Sequence, residues 1–180
     1  MATTQHIISG IAYWAKVFEQ NRDKTGYNNE LADVGGQTTI DLDVDQEGLS
    51  QFMSSGSAGV PRPSPDNGGM FRIKFKRRWE DRYAGGEPDI FTADGQPWDI
   101  ETMGLIGNGS KVDVKFEVYE TSKKPGTRLL GVRVVDHVPY ESDYEPQEQV
   151  DFNFQAPSGK ASKPKAAPAK KETVDDEIPF

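Results

Sequence analysis

Between Phe71 and Tyr83 the chain reads FRIKFKRRWEDRY, six cations (Arg72, Lys74, Lys76, Arg77, Arg78, Arg82) against two acids (Glu80, Asp81). Charged and apolar residues alternate with the period of a strand. On that period Arg72, Lys74, Lys76 and Arg78 share one face, while Phe71, Ile73, Phe75 and Trp79 share the other. Same-face neighbours on a strand lie about 6.5–7 Å apart, close to the phosphate spacing of an extended polynucleotide. Four cations in register without an intervening anion suit a polyanion better than they suit an ordinary solvated face, which mixes signs.

A second stretch, YWAKVF, adds aromatic rings. If it is a strand, Trp14, Lys16 and Phe18 share one face, and Tyr13 and Val17 take the other. Aromatic, cation, aromatic is the composition of a base-stacking platform with a phosphate contact, and stacking contributes about 1–3 kcal/mol per base. The competing reading is that Trp14 and Phe18 are core residues, the commoner fate of aromatics. In KVDVKFEVY, Lys111, Lys115 and Tyr119 face one way and extend such a groove, although Asp113 and Glu117 interrupt its charge. Lys123, Lys124 and Arg128 flank a Pro-Gly turn and read either as a backbone clamp or as a solvated hairpin tip.

Catalytic patterns are sparse. Asp41, Asp43 and Asp45 in DLDVDQEG superficially resemble an acidic metal loop. A calcium loop starting at Asp41 would need Gly at its sixth position and Glu at its twelfth, where Gln46 and Phe52 stand. Their alternation with Ile40, Leu42 and Val44 makes them the polar face of a strand; a nuclease using them as a metal site is the enzymatic alternative. GNGSK lacks the glycine spacing of a phosphate loop and reads as a tight turn feeding a strand. There is no cysteine, and His6 and His137 are the two histidines, which excludes disulfides, thiolate metal sites and histidine-rich sites. No catalytic residue, metal or cofactor is expected.

The whole chain of 180 residues has a net charge of −8. Residues 1–138 hold 16 Lys and Arg against 20 Asp and Glu, a net of −4. Polyanion-binding domains are usually basic. A nucleic-acid site here must therefore be a local stripe in which stacking carries more of the affinity than counterion release, and long duplex DNA is disfavoured. No apolar run approaches the ~18–20 residues of a membrane helix. MATTQHIISG has no basic segment leading into a long apolar one, so a soluble intracellular protein is expected, and the Asn108-Gly109-Ser110 acceptor pattern is read as a turn.

The elements that must carry these residues follow from the same patterning. TTIDLDV, FRIKFKRRW, KVDVKFEVY and RLLGVRVVDHV alternate as strands, with Gly131 a bulge or close-approach point. GIAYWAKVFE is read as a strand for its aromatic and β-branched content, and QEGLSQFMSS as a short helix. About five strands and one helix predict an all-β chain forming a small barrel. Near residue 140 the composition changes to an acidic stretch and then to APSGKASKPKAAPAKKE, which is too polar to bury a core and is expected to be disordered. The predicted organisation is a folded domain at 1–140, a linker at 141–171 and a terminal tip at 172–180.

Several segments together, FRIKFK, DGQPWD, LIGNGSKVDVKFEVYE and RLLGVRVVDHV, resemble the core of single-stranded-DNA-binding proteins from short-tailed coliphages. The most telling piece is IGNGSKVDVKF, and the likeness spans about residues 10–138. The ending DDEIPF is similar to that of bacterial single-stranded-DNA-binding proteins. The resemblance implies an OB-fold, a five-stranded Greek-key barrel. It further implies sequence-tolerant binding of single-stranded DNA by the basic strand Arg72, Lys74 and Lys76 and the turn lysine Lys111. Arg78, Lys16, Lys115 and Tyr119, with Trp14 and Trp79 as stacking residues, complete the expected site from patterning.

For the tip, the resemblance implies docking of replication and recombination enzymes (polymerase, primase-helicase, nuclease or recombinase) in the cytoplasm of an infected bacterial host. Its chemistry fits. Phe180 joins an aromatic ring to the free α-carboxylate, Ile178 fills a second pocket, Pro179 stiffens the approach, and Asp175, Asp176 and Glu177 steer toward a basic rim. A linker of about twenty residues reaches roughly 25 Å on average. No membrane partner is expected, and a homodimer is left open. Two other readings stand beside this one: an RNA-binding OB module, and an assembly or scaffold protein acting through its acidic tail alone.

Overall fold

A computed structural model describes residues 2–140. The linker at 141–171 and the tip at 172–180 lie outside the described residues. Seven strands form one sheet: β1 (Thr3–Lys16), β2 (Gln37–Val44), β3 (Arg62–Pro63), β4 (Phe71–Arg78), β5 (Asp89–Phe91), β6 (Lys111–Tyr119) and β7 (Gly126–Asp136). Helix α1 (Gln46–Ser54) follows β2, and the single turn α2 (Ile100–Met103) precedes β6. The order across the sheet is β3-β4-β2-β1-β6-β7-β5.

The five expected strands are β1, β2, β4, β6 and β7, each of eight residues or more. The count of five falls short because β3 and β5, of two and three residues, arise inside the two long loops. These are too short to show a period, and β3 contains a proline, which is tolerated at a sheet edge. Chain order against sheet order makes this a Greek key, with β1 central and sequence-distant strands on either side.

β1 is long because it serves two neighbours in turn. Thr3 to Ile11 pair with β6, and Ile11 to Lys16 pair with β2. Gly10 permits the handover: a Cβ there would stand 2.4 Å from the Asp43 carbonyl oxygen. Gly131 plays a similar part at β7, where a Cβ would meet the Asp89 carbonyl oxygen at 2.8 Å, and the β6–β7 register slips beside it. The bulge and close approach read from the sequence at Gly131 are both present.

Alternate residues of all five long strands converge on one core: Ile8 and Ala12, Ile40, Leu42 and Val44, Ile73 and Phe75, Val112, Val114 and Phe116, Leu129, Val132 and Val134. α1 contributes Phe52, whose ring packs edge-on to Phe75 and tilted against Phe116, both at 5.8 Å. Asp45 caps α1 by accepting from the Gly48 amide at 2.9 Å, which satisfies one of the otherwise unpaired first-turn donors. On the inner side of β4, Arg77 reaches the far strand: its guanidinium donates to the carbonyls of Leu129 in β7 (3.4 Å) and Gly85 (2.7 Å). Burial lowers its pKa from the ordinary value, and the bond to Leu129 ties β4 to β7.

Phe52 is fully buried and plugs the barrel from a helix that makes few other core contacts. Phe52→Ala is expected to cost about 3–5 kcal/mol, read as a lower urea midpoint with an unchanged slope.

Candidate nucleic-acid interface

The outer face of β1, β2 and β4 gathers most of the expected site, and strand register fixes its rows. Lys111 of β6, Ile11 of β1, Asp43 of β2, Arg72 of β4 and Arg62 of β3 form one row. Tyr13, Asp41 and Lys74 form the next, then Lys16, Thr39 and Lys76, and finally Gln37 with Arg78. At about 4.8 Å between strands, Lys16 and Lys76 stand roughly 10 Å apart across Thr39. The alternation of β4 is as expected: Ile73 and Phe75 are buried, and Lys74, Lys76 and Arg78 are exposed.

Two corrections follow. The basic row is not free of anions, because β2 lays Asp43 and Asp41 directly against Arg72 and Lys74. Arg72 donates to Asp43 through Nε (2.7 Å) and Nη2 (3.1 Å) and to Asp66 (2.8 Å), and Lys74 pairs with Asp41 at 2.9 Å. Among the described residues Lys16, Lys76 and Arg78 make no ion pair. The stripe therefore divides into a neutralised end, Arg72 and Lys74, and an open end of three cations.

The second correction concerns β1. Between Tyr13 and Lys16 this strand carries one more residue than β2 opposite, a β-bulge. The strict alternation therefore fails, and Tyr13 and Lys16 share the outer face. Trp14, the extra residue, adopts φ 52° and is 56% exposed. Phe18 and Val17 both enter the core. Trp14 is thus an exposed aromatic residue in the bulge between Tyr13 and Lys16, while Phe18 follows the commoner fate of aromatics.

Asp43 organises the neutralised end. Its side chain is fully buried and accepts also from Ser64 Oγ (2.5 Å) and Asn67 Nδ2 (2.8 Å). Asn67 donates to the Tyr13 hydroxyl at 3.0 Å, and the Arg72 guanidinium lies 4.3 Å over the Tyr13 ring. Burial alone would raise the Asp43 pKa. The hydrogen bonds from Arg72, Ser64 and Asn67 and the charge of Arg72 outweigh it and hold the carboxyl below the ordinary 3.8.

Trp79 lies just past β4, half-buried, with the Arg22 guanidinium 4.2 Å over its ring. Arg22 is fixed there by donating to the carbonyls of Gly35 and Glu19. Lys115 and Tyr119 sit elsewhere. They pair with Ile7 and Thr3, in the half of β1 that β2 does not reach, about 13 and 27 Å along β6 from Lys111. Lys115 lines a cleft with Ile7, Phe91 and Arg133, and Tyr119 carries the Arg128 guanidinium 4.5 Å over its ring. Asp113 and Glu117 on that face are engaged by Arg133 and Arg128.

The acidic row is spoken for as well: Asp43 by Arg72, Asp41 by Lys74, and Asp45 by the helix cap. No group of three metal-ligating side chains occurs among the described residues.

No family model and no curated protein matches the sequence. Solved structures do. Over 83% of this chain and 99% of the other, the fold is similar to gp2.5, a single-stranded DNA binding protein encoded by bacteriophage T7, with a TM-score of 0.54 at 15% identity. It is also similar to the single-stranded DNA-binding protein from bacteriophage Enc34 in complex with ssDNA, over 77% of this chain and 89% of that one, with a TM-score of 0.52 at 12% identity. The chain shares the fold of these phage proteins. The likeness expected from IGNGSKVDVKF is borne out at the level of the barrel.

Sequence patterning missed Tyr13, Arg22, Arg62, Asn67 and the structural role of Asp43. One signal was present: D-x-D in β2 has the spacing of R-x-K in β4, so the two strands can pair charge for charge.

Asp43→Ala leaves Arg72 with Asp66 as its remaining carboxylate and strips Ser64 and Asn67 of their acceptor; breaking a buried pair from one side costs about 3–5 kcal/mol, and Asp66 keeps the loss toward the lower end. Because the folded pKa is depressed, the contribution of Asp43 is complete above 3.8 and is lost as pH falls from there through the folded value. Denaturant titrations from pH 6 downward should show stability falling in that window in the wild type. The part due to Asp43 should be absent from the slope of Asp43→Asn.

Proposed function

We propose that this protein binds single-stranded DNA without sequence preference, across the outer face of β1, β2 and β4. The observation that carries the reading is the open end of the stripe, where Lys16, Lys76 and Arg78 stand in neighbouring rows and the bulge beside Lys16 exposes the ring of Trp14. Cations spaced along β4 engage successive phosphates, and the ring stacks on a base, a contact every base can make. Lys74 and Lys111 border this track, Arg72 shapes it from the neutralised end, and Trp79 under Arg22 extends it past Arg78. Lys115 and Tyr119 serve only a strand that wraps beyond Ile11 onto the second half of β1. A face built for stacking favours unpaired bases over duplex, and the net charge of −4 for residues 1–138 opposes long duplex DNA. The two phage single-stranded DNA-binding proteins that share the fold support the choice of ligand.

In this reading the protein coats and protects single strands during phage DNA replication, recombination and repair, and performs no catalytic step itself. The tip at 172–180 recruits the enzymes of those processes, with Phe180 seated in a basic-rimmed apolar pocket of the partner, Ile178 beside it and Asp175, Asp176 and Glu177 steering the approach.

Titrating tryptophan fluorescence with poly(dT) over a salt series tests the binding. Saturable quenching is expected, with log K falling against log salt at a slope of roughly −2 if Lys16, Lys76 and Arg78 each neutralise one phosphate. Lys76→Ala should flatten that slope by about 0.7 and weaken binding to all sequences alike, whereas Lys74→Ala should do less because Asp41 already holds Lys74. A flat titration would overturn the reading, and equal competition by poly(U) would move it to an RNA-binding module.

The tip is tested separately. Phe180→Ala should keep poly(dT) affinity and lose capture of the host or phage polymerase on immobilised protein. Undiminished capture would remove the docking role.

A further inference from the structure

The bulge that exposes Trp14 is held from outside its own hairpin. A bulky residue at φ 52° lies in the left-handed region that L side chains adopt at a cost. The neighbouring strand cannot maintain it, since an extra residue in a bulge is left out of the ladder. The loop before β6 supplies the missing partners. Asn108 accepts the Trp14 backbone N–H on its side-chain oxygen at 2.8 Å. On the same loop the Gly109 amide donates to the Ala12 carbonyl at 2.9 Å, and the Ala12 amide donates to the Ser110 carbonyl at 2.7 Å.

The loop is itself immobilised. Ile106 is in the core, and the Gly107 amide donates to the Val138 carbonyl at 2.8 Å. Ser110 is fully buried, with its hydroxyl bonded to the Gly107 and Val138 carbonyls and accepting from the Val138 amide. Asn108 alone on this bracket is exposed and spends its side chain on another segment's backbone.

We infer that Asn108 is the positioning residue for Trp14: by accepting the Trp14 amide it holds the β1 bulge that presents the indole to a base. The inference rests on the single-stranded-DNA reading above. Asn108 needs no contact with nucleic acid for this. It also gives the Asn-Gly-Ser turn a use besides reversing the chain, because an apolar residue at 108 could still turn but could not accept the hydrogen bond of the Trp14 amide.

Two measurements test it. In amide exchange by NMR, the Trp14 N–H should be protected in the wild type and in Asn108→Asp, which keeps the acceptor, and should exchange rapidly in Asn108→Ala while the amides of β6 and β7 stay protected. In poly(dT) binding, Trp14→Ala should weaken affinity about fivefold or more. Asn108→Ala should lose a comparable factor alone and nothing further in the Trp14→Ala background. Additive losses would mean that Asn108 acts on DNA directly, and unchanged exchange in Asn108→Ala would mean that the bulge holds itself; either overturns the inference. Failure of the wild type to bind poly(dT) removes the functional reading and the base contact with it, whereas wild-type binding with a silent Asn108→Ala removes only the positioning role.

Discussion

Asp43 is the point on which the outer face depends. A carboxylate with no exposed surface is tolerated only if its charge is met and its lone pairs are filled, and here Arg72, Ser64 and Asn67 do both. Each partner brings a separate part of the chain. Arg72 brings β4, Ser64 and Asn67 bring the segment between β3 and β4, and Asn67 passes the connection on to Tyr13 of β1. One buried charge thus joins three strands and a polar, glycine-containing segment that has little apolar surface of its own to hold it down. The Arg72 guanidinium, fixed over the Tyr13 ring, is then part of the wall of the site and is poorly free to follow a phosphate.

That arrangement leaves an acidic domain with a local run of cations that no carboxylate of the described residues neutralises, which the proposed reading requires. Cations along β4 are graded rather than equivalent, from a buried bidentate pair at Arg72, through an exposed pair at Lys74, to none among the described residues at Lys76 and Arg78. A phosphate approaching Lys74 must compete with Asp41, and one approaching Lys76 meets a hydroxyl, Thr39, on the neighbouring strand instead. The attractive field is therefore concentrated at one end, next to the aromatic bulge. In the proposed reading such a site draws modestly on counterion release and more on stacking, which tolerates any base sequence but needs the bases unpaired.

Much of the barrel was legible because its core strands alternate without interruption. Val112, Val114, Phe116 and Val118 announce both the strand and its inner face, and the same holds for Ile40, Leu42 and Val44. What stayed hidden was whatever depends on two strands at once. The neutralisation of Arg72 and Lys74 is invisible until β2 is set beside β4 in register. The exposure of Trp14 is hidden by an insertion of one residue, which a period-2 reading carries straight through, putting Phe18 outside and Tyr13 on the wrong side. Lys115 and Tyr119 do belong to the outer side of β6, as their parity says, but parity does not say where β1 changes partners. β3 and β5 are too short to have a period at all.

The handover along β1 also accounts for the position of the aromatic bulge. Near Ile11 the strand leaves β6 and is carried onward by β2 alone, so its free edge beyond that point would present unpaired amides and carbonyls. The loop before β6 fills that gap, bonding to Ala12 on both its polar groups and to the amide of Trp14. The bulge at Trp14 interrupts bonds to β2 alone, since β6 no longer pairs with β1 beyond Ile11. The exposed ring thus stands just past the strand's change of partners, on the edge that β6 has vacated, and the turn that covers this edge bonds the bulge residue itself.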